Sequence, residues 1–154
     1  CLIDNTYHES NKHIDYITSS ARSLIVGSLL AKGHTVEELL EQDLSREFIQ
    51  PLLDNQRGYQ NLKSSDSEYA YVCFDGFDIP IKDVPTIKIP EETKHIVLAS
   101  DGYPKLFNTL KESEDYLKYL KKEDPLCYWL HSSTKGFNHK LNSFDDRSYL
   151  SFKI

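Results

Sequence analysis

His95-Ile96-Val97-Leu98-Ala99-Ser100-Asp101-Gly102 is an apolar, β-branched run that leaves directly into an acidic turn. A buried strand ending at a sheet edge reads this way. Near the other end of the chain, Ser143-Phe144-Asp145-Asp146-Arg147-Ser148 sets two aspartates just ahead of an alternating segment, 147–154, that reads as a terminal strand. If the two strands lie antiparallel in one sheet, the end of the first and the start of the second share an edge. Asp101 and Asp145 then converge although 44 positions separate them. Carboxylates meeting there repel one another unless something cationic sits between them. Hard divalent ions such as Mn²⁺ or Mg²⁺ fill that role with oxygen ligands and retained waters. Gly102 suits the close approach of a carbonyl or a water. The same letters also serve as plain turn chemistry and edge protection, and spacing alone leaves both readings open.

Upstream the period is helical. Ile14, Ile17, Ala21, Leu24, Ile25 and Leu29 recur at three- and four-residue steps, giving one apolar stripe that stops at Lys32-Gly33. Thr35-Val-Glu-Glu38 is a capping-box pattern for a second helix. Asp43 or Ser45 caps a third, with Phe48, Ile49, Leu52 and Leu53 on one side and Pro51 expected to kink or shorten it. From Glu68 to Phe74 the sequence turns β-branched and aromatic, and Asp75-Gly76 offers a hairpin tip. Thr86–Ile89 reads as another extended piece. A later helix has Ser113 as its expected cap, Leu117 and Leu120 on its buried side, and a Glu114–Lys118 pair along its surface. Helices over about 13–60, then strands and a helix over about 68–154, give an α+β class in a single domain, 1–154.

Composition narrows the function. At 154 residues the chain can bury a core without disulfide or metal staples. Eighteen basic against 24 acidic residues leave a net charge of −6, the wrong sign for broad nucleic-acid binding. No apolar run approaches the ~20 residues that span a bilayer. Cys1, Cys73 and Cys127 are odd in number and lack CxxC spacing, which points to reduced thiols and a cytoplasmic setting. The chain opens at Cys1 and holds no Met, so it reads as a piece of something longer.

Other chemistries find less support. His8, His13, His34, His95, His131 and His139 show no HxH or HxxxH pair. There is no Gly-x-Ser-x-Gly, Walker-type loop or GxGxxG. Lys118, Lys121 and Lys122 are interleaved with acids and read as a solvated helix face, and Tyr69 and Tyr71 read as packing residues.

At Val97-Leu-Ala-Ser-Asp-Gly102 and Asp145-Asp-Arg-Ser-Tyr149 the sequence resembles the C-terminal portion of the metal-dependent protein phosphatases of type 2C. The order of elements is consistent with that family from about Tyr69 onward. The resemblance implies packed antiparallel sheets flanked by helices, in a partial type 2C-like β-sandwich. It also implies hydrolysis of phosphoserine and phosphothreonine in a phosphoprotein substrate, with two Mn²⁺ or Mg²⁺ ions activating a water. Asp101 and Asp145 would each ligate an ion, with Gly102 beside them and Asp146 as a supporting or alternative ligand. The family's first Asp-Gly motif and its phosphate-holding basic residue have no counterpart here, and Tyr103-Pro104 stands where many members have Trp-Asp. The isolated chain is therefore expected to be inactive or nearly so. It is also expected to need the missing N-terminal half of the domain or to self-associate. A non-catalytic binding or scaffolding module that keeps the sheet and its acidic turns is the alternative.

Overall fold

Helices fill the first half of the computed structural model, which describes residues 1–9, 12–138, 143 and 145–154. His139 and Phe144, named above, lie outside the described residues. The helices are α1 (His13–Ala31), α2 (Val36–Glu41) and α3 (Leu44–Gln56), with α3 packed along α1. The α1–α2 junction follows the sequence closely. Gly33 takes φ +99°, and the Thr35 hydroxyl and Glu38 carboxylate each accept the other's backbone N–H in a capping box. Asp43 caps α3 by accepting from Arg46 N. Pro51 does not end α3, which continues to Gln56.

The buried faces differ from the expected stripes. On α1 the inward line is Ile14, Thr18, Arg22, Val26 and Leu29, while Leu24 is 77% exposed. The reason is Arg22, fully buried. Its guanidinium donates to Asp43 Oδ2 at 2.7 Å and to the carbonyls of Leu126, Cys127 and Ser133. A charge so completely paired can hold a core position, and it turns the neighbouring Leu24 outward. On α3, Ile49 is buried, whereas Phe48 and Leu52 face solvent.

The strands expected at 68–74 and 86–89 do not form. Around Tyr71 the chain makes one short bridge, in which Asn61 N donates to Tyr71 O and the Asn61 side chain bonds both the N–H and the carbonyl of Cys73. A side chain thereby replaces the strand partner that a ladder needs. Beyond it, Pro80, Pro85 and Pro90 remove backbone donors. Residues 72–94 then run irregularly past a short 3₁₀ turn, Ile81–Asp83. Asp75-Gly76 forms a bend with positive φ at Gly76, not a hairpin tip.

Among the described residues there is one four-stranded antiparallel sheet, where the family resemblance implied a sandwich. Its order is β2-β1-β3-β4, from β1 (Leu2–Ile3), β2 (Thr6–Tyr7), β3 (His95–Ala99) and β4 (Tyr149–Lys153). The β1–β2 hairpin was not anticipated, because two-residue strands are too short to carry a period. Asp4 pins it, at φ +50° with its carboxylate accepting from Lys94 N and His95 N. The protein is therefore α+β. None of the described helices is long and apolar enough to cross a membrane.

The last helix, α4 (Leu110–Glu123), is capped by Thr109 and not by Ser113. Ser113 is instead buried, accepting from Phe107 N and donating to Thr109 O. Leu117 and Leu120 join Cys127 and Phe137 in one cluster, beside a second of Val26, Leu29, Leu39 and Leu126. Buried Asp124 ends α4 and accepts from the backbone N–H groups of Tyr128, Trp129, Leu130 and His131. That shapes the loop leading to residues 131–137.

Candidate functional site

The register of β3 and β4 fixes what meets at the sheet edge. Ala99 stands opposite Tyr149, so Ser100–Gly102 and Asp145–Ser148 leave the ladder side by side. Ser100 N donates to Ser148 O at 3.2 Å, and Ser148 N to Ser100 Oγ at 2.9 Å. Gly102 is buried against the returning chain. A methyl there would overlap the Asp146 carbonyl oxygen and lie 2.7 Å from Arg147 Cβ. Glycine at 102 is thus required by the close approach of two backbones.

A brace from α4 holds this junction. Glu114, expected to pair with Lys118, instead accepts from Arg147 Nε at 2.8 Å and from Tyr103 Oη at 2.6 Å. Lys118 pairs with Asp115. These bonds to Arg147 and Tyr103 hold the Glu114 carboxyl below its ordinary value. Tyr103 packs edge-on against Tyr149, whose hydroxyl donates to Phe107 O. The brace therefore ties α4 to both acidic turns at once.

Asp101 and Asp145 line the same cleft, of about 940 Å³, walled also by α1 at Asp15 and Ser19, by the β2 side at Tyr7 and His8, and by residues 131–134. That volume lies at the upper end of the range for small-molecule sites. Gly102 sits behind the rim and Asp146 is exposed beside it. Asp145 Oδ1 accepts from Asp146 N at 2.9 Å and is paired with Lys135 Nζ at 2.6 Å. Its second oxygen carries no hydrogen bond among the described residues. His8, His13 and His131 also face the cleft. Burial lowers the His131 imidazole from its ordinary value, against a smaller opposing pull from Asp124.

The donor set is therefore hard and acidic but sparse. Asp101 and Asp145 line one cleft and offer the oxygen donors that hard divalent cations take. Among the described residues, no group of three His, Cys, Asp or Glu side chains is placed to hold a metal ion. Lys135, Glu114 and Arg147 escaped the sequence reading of the site. Arg147 lies within the second quoted motif, but the partners of all three are set by packing that spacing does not reveal. No known family model, curated protein or solved structure matches the chain.

Proposed function

We propose that this chain is the C-terminal part of a type 2C-like, metal-dependent protein phosphatase acting on phosphoserine and phosphothreonine. Its share of the site is Asp101 and Asp145, each lending a carboxylate oxygen to Mn²⁺ or Mg²⁺. The observation that carries this reading is the β3–β4 register, which brings the two distant acidic turns to one rim of one cleft. The packing of Gly102 on the Asp146 carbonyl supports it, because it fixes the spacing between the turns. Divalent ions at such a rim supply an activated water and offset charge on a phosphoryl group. The chain's own work is positional: Glu114 and Arg147 hold the turns, and Asp146 stands beside Asp145 as its support or substitute. In this reading the remaining carboxylates and the phosphate-holding cation come from a segment outside the chain. Residues 1–154 alone then show little or no turnover.

One observation favours the other reading, a non-catalytic binding module. Lys135 already supplies a cation to Asp145, so the rim's carboxylates are partly offset without any metal. Thermal unfolding in millimolar Mn²⁺ separates the two. A phosphatase fragment is stabilised by the ion, and Asp101→Asn and Asp145→Asn each remove the effect. An unshifted melting curve for the parent chain supports the binding module.

A further inference from the structure

The sheet is apolar on both faces where β3 meets β4. Ile3 stands opposite Ile96, Ile96 opposite Phe152 and Leu98 opposite Leu150, and Ile154 N donates to Lys94 O just past the last pair. Side chains alternate along a strand, so Ile3, Ile96, Leu98, Leu150, Phe152 and Ile154 share one face. On the opposite face Val97 is fully buried and Tyr149 packs against Tyr103. An antiparallel sheet with one wet face carries polar residues on that face. Here Ile3 and Ile96 are buried, but Leu98, Leu150, Phe152 and Ile154 are 43%, 53%, 43% and 73% exposed. None of these six positions is charged. Phe74 and Phe77 are more exposed still, but they lie in irregular chain with no ladder to hold them as a surface.

The whole chain exposes 10439 Å². A compact monomer of 17.8 kDa exposes about 8,000 Å², which leaves an excess of ~2,400 Å². A stable pair buries about 800 Å² on each partner, so the excess is ample for one interface. We propose that a second copy of this chain covers the β3–β4 face, the two faces packing across a twofold axis into a sandwich about 10 Å thick. The chain carries a net charge of −6, yet this face is uncharged, so its own image meets it without repulsion. A strongly charged partner would find no counter-charge there. Joining through the free edge of β4 is disfavoured by Lys153, exposed on that edge strand. The contact is therefore face to face. It does not rest on the phosphatase reading and stands or falls apart from it.

Sedimentation equilibrium of the 154-residue chain over about 1–100 µM tests this, with circular dichroism to establish folding. The parent should sediment at about twice its monomer mass. Each substitution on the face removes two contacts, one per copy, so Leu150→Lys and Phe152→Lys should each weaken association about a hundredfold. Leu150→Thr and Phe152→Thr keep strand-forming side chains, and should weaken it about tenfold should the lysine variants not fold. Phe77→Lys, away from the sheet, should leave the dimer intact. A monomeric parent at the highest concentration assigns the face to some other occupant and overturns the proposal. Association that survives every folded face variant, or that Phe77→Lys abolishes, overturns it as well.

Discussion

Replacing Gly102 with alanine tests the backbone contact on which the candidate site is built. The new methyl would overlap the Asp146 carbonyl oxygen and stand 2.7 Å from Arg147 Cβ and 2.9 Å from the Asp146 carbonyl carbon. Two of these obstacles are backbone atoms, so no side-chain rotation relieves the overlap. The two turns must separate, which strains the Ser100–Ser148 bonds and the Glu114–Arg147 brace. Overpacking of this kind costs ~1–3 kcal/mol, and the rigid neighbours place the expected loss near ~2 kcal/mol. For a chain of this size that lowers the melting temperature by about 4–8 °C. Urea unfolding of Gly102→Ala beside Gly27→Ala makes the comparison internal. Gly27 lies within α1 with nothing within 4 Å of an added Cβ, so alanine there should stabilise by ~0.5–1 kcal/mol. A Gly102→Ala protein as stable as the parent would refute the close approach of the two turns.

Further outcomes follow from the same contacts. Arg22→Met leaves the Asp43 carboxylate and three inward carbonyls without their donor. It should cost ~3 kcal/mol in chemical denaturation, and a loss below ~1 kcal/mol would show that the network is replaceable. Glu114 is held below its ordinary pKa, so its ionised form stabilises the fold. That contribution is complete above the ordinary glutamate value and is lost as pH falls through the lowered one. Glu114→Gln should therefore be less stable than the parent at neutral pH, with the gap narrowing in acid. A gap that does not change with pH contradicts the assignment. Cys127 is buried and its thiol is pushed up to about 12, chiefly by burial. Maleimide at mild pH should thus modify the partly accessible Cys1 and Cys73 in the native chain, and Cys127 only after denaturant is added.

The sequence was most legible where an interaction is local. The Thr35–Glu38 capping box, the Gly33 stop and the pairing of 95–99 with the terminal strand all depend on short patterns or on one alternating run. It misled where a distant polar partner decides the outcome. Arg22 takes a core position on α1 because its acceptors lie more than a hundred residues away, and no helical period shows that. The aromatic stretch 68–74 looked like a strand, yet Tyr71 bonds the backbone of Tyr59 and Asn61, Cys73 bonds the Asn61 side chain, and no ladder forms. Within the candidate site, the antiparallel pairing that leads Asp101 and Asp145 into one cleft was readable from strand polarity. Lys135 and the Glu114–Arg147 brace were not, because each crosses between elements whose packing only the fold determines.

Mn²⁺-induced broadening of backbone amide resonances in the isotope-labelled chain tests the central claim most directly. The account predicts that substoichiometric Mn²⁺ first broadens the amides of Asp101, Gly102, Asp145 and Asp146, and that Asp145→Asn removes this selectivity. Broadening centred elsewhere, or none at these four positions in millimolar ion, would contradict it.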